Sequence, residues 1–261
     1  DPDSITTEEL LASLRRQTLD LMVNPVLCGS AFHNQGVQPL LDGVIRYLPS
    51  PADLKTVTGT HPETGEEEVR EMQAGAPFAG LAFKIVADKY VGSMTQVRVY
   101  SGALTSGQTL INMRTGAKVR VNRILRLLSN KTEGLEAARA GEICALVGLK
   151  DVRTGDTLCV ADHPILLESM EFPEPVIGLA VEPANSKDLK RFGLALRKLV
   201  DEDPTLKVVV EPQTQQTVVR GMGELHLEVS LEKMRSEYEV PVTEGQPRVA
   251  IREALQSTVS F

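Results

Sequence analysis

Three hydrophobic periodicities follow one another along this chain. From Thr6 to Leu48 apolar residues recur mostly at helical spacing. Thr6 and Glu9 have the spacing of a capping box, in which hydroxyl and carboxylate satisfy each other's backbone N–H. Leu10, Leu11 and Leu14 follow, which predicts a helix to about Asp20. Val23 to Cys28 reads as a buried strand. Val37, Leu40, Leu41, Val44, Ile45 and Leu48 then form one stripe of a second helix. Pro49 and Pro51 end it. This α–β–α piece, residues 1–50, is too small to own a core and reads as the last part of an α/β domain.

From about Leu54 the period drops to two. LAFKIVAD, MTQVRVY, QTLINM, AKVRVNRI, EICALVG and DTLCV all read as strands. Gly92, Gly102, Gly107, Gly116, Gly141, Gly148 and Gly155 separate them, the pattern of an all-β barrel or sandwich over residues 54–168. His61 to Glu71 is an acidic, exposed hairpin or loop. From Pro175 the order changes again. VIGLAVEP is a strand, and Asn185 or Ser186 caps a helix carrying Leu189, Phe192, Leu196, Leu199 and Val200 that closes at Pro204. LKVVVEP and QTVVRG form a hairpin around Gln213-Thr214, a helix starts at Glu224, and EVPVTEG is the last strand. The β-α-β-β-α-β order over residues 172–247 predicts a ferredoxin-like α+β domain. Residues 248–261 begin something else.

Charge refines this picture. The chain is acidic overall, with a formal net charge of −7, which argues against a generic nucleic-acid binder. Between Asp88 and Glu133, however, there is no carboxylate, and Lys89, Arg98, Arg114, Lys118, Arg120, Arg123, Arg126 and Lys131 lie there. A basic block in an acidic chain is the footprint of a polyanion partner, against the alternative of a face neutralised by other segments. Lys118 and Arg120 alternate with Val119 and Val121, so they share a face. Cys28, Cys144 and Cys159 sit in apolar runs and read as buried, reduced thiols. No paired Cys or His spacing suggests a metal site. No apolar run spans a membrane, and the polar start DPDSITTEEL is unlike a signal peptide and looks like a cut within a longer protein.

Two motifs need weighing. GALTSGQT nearly spells a phosphate loop, but Gln108 replaces the lysine and a strand follows, so it reads as a turn. RGMGELHLE is more specific. Gly221 and Gly223 flank Met222 at a strand-to-helix junction, where glycines permit positive φ and close backbone approach. Glu224 and Glu228 complement the helix dipole. The plain alternative is a tight turn with favourable capping charge. His226, like His33, His61 and His163, has no second His, Cys or Ser at catalytic spacing.

CGSAFHNQGVQPLLDGVIRYLPSP, the VYSGALTSG turn, PEPVIGLAVEP and GMGELHLE together resemble the elongation factor G family of ribosomal GTPases, over about Ile5 to Glu253. The resemblance implies the end of a GTPase domain, the barrel of domain II, the ferredoxin-like domain III and the first strand of domain IV. It implies a cytoplasmic protein that hydrolyses GTP with Mg²⁺ through a phosphate loop and switches upstream of Asp1, with no cofactor held by this segment alone. Ser30, Ala31 and Phe32 match the guanine-contacting element. Domain II implies small-subunit ribosomal RNA as partner, with Arg98, Lys118, Arg120 and Arg123 as contact candidates. Domain III implies a surface against the GTPase switches, with Gly221, Met222, Gly223 and Glu224 as candidates. Arg220 and Ser230 depart from the family pattern. A paralogue acting in recycling, back-translocation or ribosome protection is the alternative. A stand-alone binding module is a third reading, which the orphan α/β piece disfavours.

Overall fold

In a computed structural model, residues 5–88, 91–129, 131–168 and 170–248 are described. Lys89 of the basic block and the expected start of a further domain after Arg248 lie outside them.

Two helices come first, α1 (Thr7–Leu19) and α2 (Val37–Tyr47). The capping box of α1 forms in both directions: Thr6 N–H donates to Glu9 Oε2 at 2.9 Å and Glu9 N–H to Thr6 Oγ1 at 3.3 Å. Arg15 on α1 donates to the carbonyls of Arg46 and Leu48 at 2.7 and 3.4 Å and pairs with Asp53 at 2.9 Å. It thereby satisfies carbonyls that the end of α2 leaves open. The apolar stripe of α2 stays uncovered, with Leu41 58% and Ile45 77% exposed, as expected of a piece without its own core. The expected strand at Val23–Cys28 is not formed. Among the described residues no strand lies beside it to supply a hydrogen-bonding ladder, and only a single bridge joins Ser30 to Gln35. Cys28 is consequently exposed, against the expectation of burial, whereas Cys144 and Cys159 are buried.

Among the described residues thirteen strands follow: β1 (Thr56–Thr60), β2 (Glu67–Glu71), β3 (Ala79–Asp88), β4 (Gly92–Ser101), β5 (Ala103–Thr105), β6 (Thr109–Asn112), β7 (Lys118–Arg120), β8 (Ile124–Leu128), β9 (Lys131–Leu135), β10 (Ala137–Arg139), β11 (Ile143–Val147), β12 (Thr157–Cys159) and β13 (Leu166–Leu167). The main sheet runs β7-β6-β12-β3-β4-β11-β8-β9 and curves around a core of Phe78, Val97, Val99, Leu104, Leu110, Val121, Leu146 and Leu158. Alternation fixes the faces: along β4, Val97 and Val99 point into this core and Arg98 and Tyr100 point away. The acidic stretch is the turn and second strand of the β1–β2 hairpin, which extends into a small sheet with β13. All seven glycines named between strands have positive φ. Gly102 (φ +74°) leaves no room besides, since a Cβ there would sit 2.6 Å from the Phe78 backbone.

The third unit comprises β14 (Ile177–Pro183), α3 (Leu189–Glu202), β15 (Lys207–Val210), β16 (Thr217–Gly221), α4 (Glu224–Ser236) and β17 (Val242–Gly245). Its antiparallel sheet has the order β15-β16-β14-β17, the split βαβ arrangement. Phe192, Leu196 and Leu199 of α3 and Leu227, Leu231 and Met234 of α4 pack on Val181, Val219 and Val242 of the sheet. Asn185 stands at the N-cap position of only a short 3₁₀ turn (Ser186–Asp188), without a capping hydrogen bond from its side chain, so α3 starts later than expected, with Asp188 as its N-cap residue. α3 also lies against β3 of the barrel.

Candidate functional site

The basic edge of the barrel is built by β7, an edge strand whose register on β6 sets Lys118 opposite Ile111 and Arg120 opposite Thr109. Val119 between them is buried, as is Val121 beyond, so the core holds this strand with both cations outward. Arg123, also exposed, follows before β8, and its carbonyl accepts from Val147 N–H at 3.2 Å, which fixes the backbone there. Two other members of the basic block are neutralised locally. Arg114 pairs with buried Asp156 at 2.6 Å, and Arg126 lies 3.9 and 3.8 Å from Glu133 and Glu142. Among the described residues no carboxylate pairs with Lys118, Arg120 or Arg123, which leaves them as uncompensated surface charge.

Arg98 does not join this edge, which corrects its grouping with the other three. It sits mid-sheet on β4, opposite Leu81 and Ile143, and its guanidinium lies over the Tyr100 ring at 5.2 Å. It lines a mostly apolar cleft of about 840 Å³ with Leu54, Met72, Phe83 and Ile143, which Glu168 and Glu171 also border. Alternation along β4 told only that Arg98 faces away from Val97; which neighbours meet it depends on strand pairing.

At the β16–α4 turn the two glycines differ. A Cβ on Gly221 would lie 2.8 Å from Leu227 Cδ2 and 3.1 Å from His226 Nδ1, so here the backbone does approach closely. Gly223 is extended (φ −178°, ψ 170°) and a Cβ there would meet nothing within 4 Å. Neither glycine has positive φ, which corrects that expectation. The turn is instead closed by a side chain. Met222 N–H donates to His226 Nδ1 at 3.1 Å, so the ring carries its proton on Nε2, which faces Asp203 Oδ2 at 2.9 Å. Asp203 also accepts from Thr205 N–H at 2.9 Å and Thr205 Oγ1 at 2.5 Å. Burial pushes the Asp203 carboxyl pKa up, but the Thr205 hydrogen bonds and His226 outweigh it and hold the pKa below the usual value. Sequence spacing shows His226 as isolated because Asp203 lies 23 positions away, on the far end of another helix. Glu224 opens α4. Met222, Leu225 and Val229 leave an apolar row exposed beside this turn, at 37%, 72% and 61%.

The third candidate is the Ser30–Gln35 loop. Ser30 and Gln35 exchange backbone hydrogen bonds of 2.9 and 3.0 Å, and Asn34 (φ +53°) turns the chain between them. Gly36 (φ +76°) lies so near Cys28 that a Cβ would be 3.0 Å from its carbonyl. The loop is thus preformed, with Ala31 and Phe32 exposed at its tip, Phe32 at 93%. None of the three candidates holds a set of metal ligands among the described residues.

Comparison with known proteins agrees with this architecture. Residues 77–161 match the family model of elongation factor G domain 2, and residues 172–246 match that of elongation factor G domain III. An elongation factor G of Amoebophilus asiaticus (strain 5a2) is 48% identical over 259 residues, 99% of this chain. The chain spans 36% of that relative's length. A crystal structure of a Thermus thermophilus protein superimposes with a TM-score of 0.75 at 27% identity, covering 94% of this chain and 34% of that one.

Proposed function

Because this chain belongs to the elongation factor G family, carrying its domains II and III, we propose that it is the middle of a GTP-driven ribosomal translocase. Residues 1–50 close the GTPase domain, 54–168 form domain II, 172–247 form domain III and 248–261 open domain IV. GTP and Mg²⁺ bind in the GTPase domain. The Ser30–Ala31–Phe32 backbone lies against the guanine edge, for which a preformed loop is suited. Hydrolysis needs phosphate and metal held together in a fixed geometry, so the segment alone does not turn over GTP.

The observation that carries the ribosomal reading is the uncompensated edge of Lys118, Arg120 and Arg123 on an otherwise acidic chain. Cations without protein counter-charges favour contact with phosphates, and small-subunit ribosomal RNA is the polyanion this family meets. The β16–α4 turn, with its exposed Met222, Leu225 and Val229, is the surface on which domain III meets the GTPase switches. The two departures from the family pattern have local explanations that need no second function. Arg220 lies 3.5 Å from Glu211, and buried Ser230 donates to the His226 carbonyl at 2.7 Å. The test is ribosome-stimulated GTP hydrolysis and translocation by the protein carrying this chain. Both activities are expected. Ribosome binding without translocation would favour a recycling or protection role.

A further inference from the structure

The contact between the barrel and the third unit carries a reciprocal charge pattern. On the barrel side Asp151 and Arg153 project from the loop before β12; on the other side Arg197 and Asp201 stand one helical turn apart on α3. Arg153 Nε lies 4.0 Å from Asp201 Oδ1, and Arg197 Nη2 lies 4.0 Å from Asp151 Oδ1. Arg197 Nε is also 4.0 Å from Asp201 Oδ2 along the helix. Acid faces base at both crossings. The four residues border a shared cleft of about 310 Å³.

The two sides are built differently. The barrel loop is anchored by Asp156, only 3% exposed, which accepts from Asn112 Nδ2 at 2.7 Å, Arg114 Nε at 2.6 Å and Arg153 N–H at 2.8 Å. Asn112 and Arg114 also bind the carbonyl of Asp151, at 3.1 and 3.3 Å, and hold that residue in a left-handed turn (φ +56°). The backbone presenting Asp151 and Arg153 is therefore fixed. Three of the four charges are well exposed, Arg153 at 64%, Arg197 at 74% and Asp151 at 72%, with Asp201 at 34%, and the pairs meet at the outer limit of ion-pair distance. Exposed pairs of this kind are weak and screened by salt.

We propose that Asp151, Arg153, Arg197 and Asp201 form an electrostatic clasp that sets the angle of the third unit on the barrel and opens and recloses without unfolding either. A rigid seat fixes the closed geometry, and weak, wet pairs keep opening easy. Beside it, Ile85 and Val86 of the barrel border a cleft of about 330 Å³ with Leu199, Leu206 and the charged Glu202 and Lys233 of the third unit, so the contact next to the clasp is itself partly open and mixed in character.

Spin labels at Thr132→Cys and Ser236→Cys, with Cys28→Ser to silence the exposed thiol, report the distance between the units by pulsed dipolar spectroscopy. At low salt the wild-type distribution should be narrow, and about 1 M salt, where the screening length falls to about 3 Å, should widen it. Reversing the helix pair (Arg197→Glu with Asp201→Lys) should widen it at low salt, since both crossings become repulsive. Adding Asp151→Lys and Arg153→Glu restores attraction at both crossings and should narrow it again. A distribution that ignores the reversal, or one that widens and is not narrowed by the complementary pair, overturns the clasp. Thermal melts of all variants separate this from unfolding: the clasp predicts unchanged transitions of the barrel and of the third unit.

Discussion

His226 Nε2 stands 2.9 Å from Asp203 Oδ2 while its Nδ1 receives the backbone N–H of Met222 at 3.1 Å. One imidazole thus ties the end of α3 to the start of α4. Asp203 is held ionised below its ordinary range, so its contribution to stability is present above the unfolded carboxyl pKa, about 4, and is lost as pH falls through the lower folded value. Asp203→Asn should therefore melt lower than wild type near neutral pH, with the gap closing on acidification. A gap independent of pH between neutrality and about pH 2 would show that the charge is not what matters.

The two glycines of the turn should separate folding from function. Gly221→Ala forces a methyl against Leu227 and His226 and should cost about 1–3 kcal/mol, read from the third unit's unfolding transition. Gly223→Val enters open space with extended backbone and should leave that transition in place. If the turn meets the GTPase switches, Gly223→Val should still slow ribosome-stimulated turnover or translocation while GTP affinity holds. Wild-type rates would make the turn structural punctuation.

Buried Asp156 is the linchpin of the barrel loop. Asp156→Ala leaves the Arg153 N–H without its acceptor and Asn112 and Arg114 with only the Asp151 carbonyl; since Arg114 is half-exposed and stays solvated, the barrel should lose about 1–3 kcal/mol. Urea unfolding followed by a probe in the barrel measures this. A loss under about 1 kcal/mol would mean that water replaces the carboxylate.

Thiol chemistry should find the three cysteines unequal. Cys28 is exposed, Cys144 is buried with its thiol pushed up to about 12, chiefly by desolvation, and burial also raises Cys159. A native chain should react rapidly with a disulfide reagent at Cys28 alone, and at all three positions in denaturant. Fast labelling of Cys144 in the native state would contradict the packing of β11.

Local chemistry made much of this fold readable. The glycines between strands, the capping box at Thr6 and the two-period alternation along β4 are dictated within a few residues. The β-α-β-β-α-β order is likewise legible from helix and strand periods. What was not legible depends on partners remote in sequence. Val23–Cys28 has strand composition, but a strand exists only beside another, and among the described residues none pairs with it. Arg98 has the charge of its neighbours, yet strand pairing turns it into a separate cleft beside Phe83 and Ile143. The His226–Asp203 pair links two helix ends that only tertiary packing brings together. Of the basic block, alternation alone places Lys118 and Arg120 on a common face, and they share it; that Arg114 is spent on Asp156 depends on a residue 42 positions away.

Those two side chains give the decisive experiment. The affinity of the protein carrying this chain for ribosomes is measured across salt concentrations, for wild type and for Lys118→Glu with Arg120→Glu. Both positions are exposed on an edge strand whose core residue, Val119, is untouched, so the thermal transition should not move. If this edge meets ribosomal RNA, the variant binds more weakly, and the slope of log affinity against log salt is shallower by about 2, one for each lost phosphate contact. Identical affinity and identical slope in a folded variant would mean that the edge is merely solvated and that the barrel does not meet RNA there.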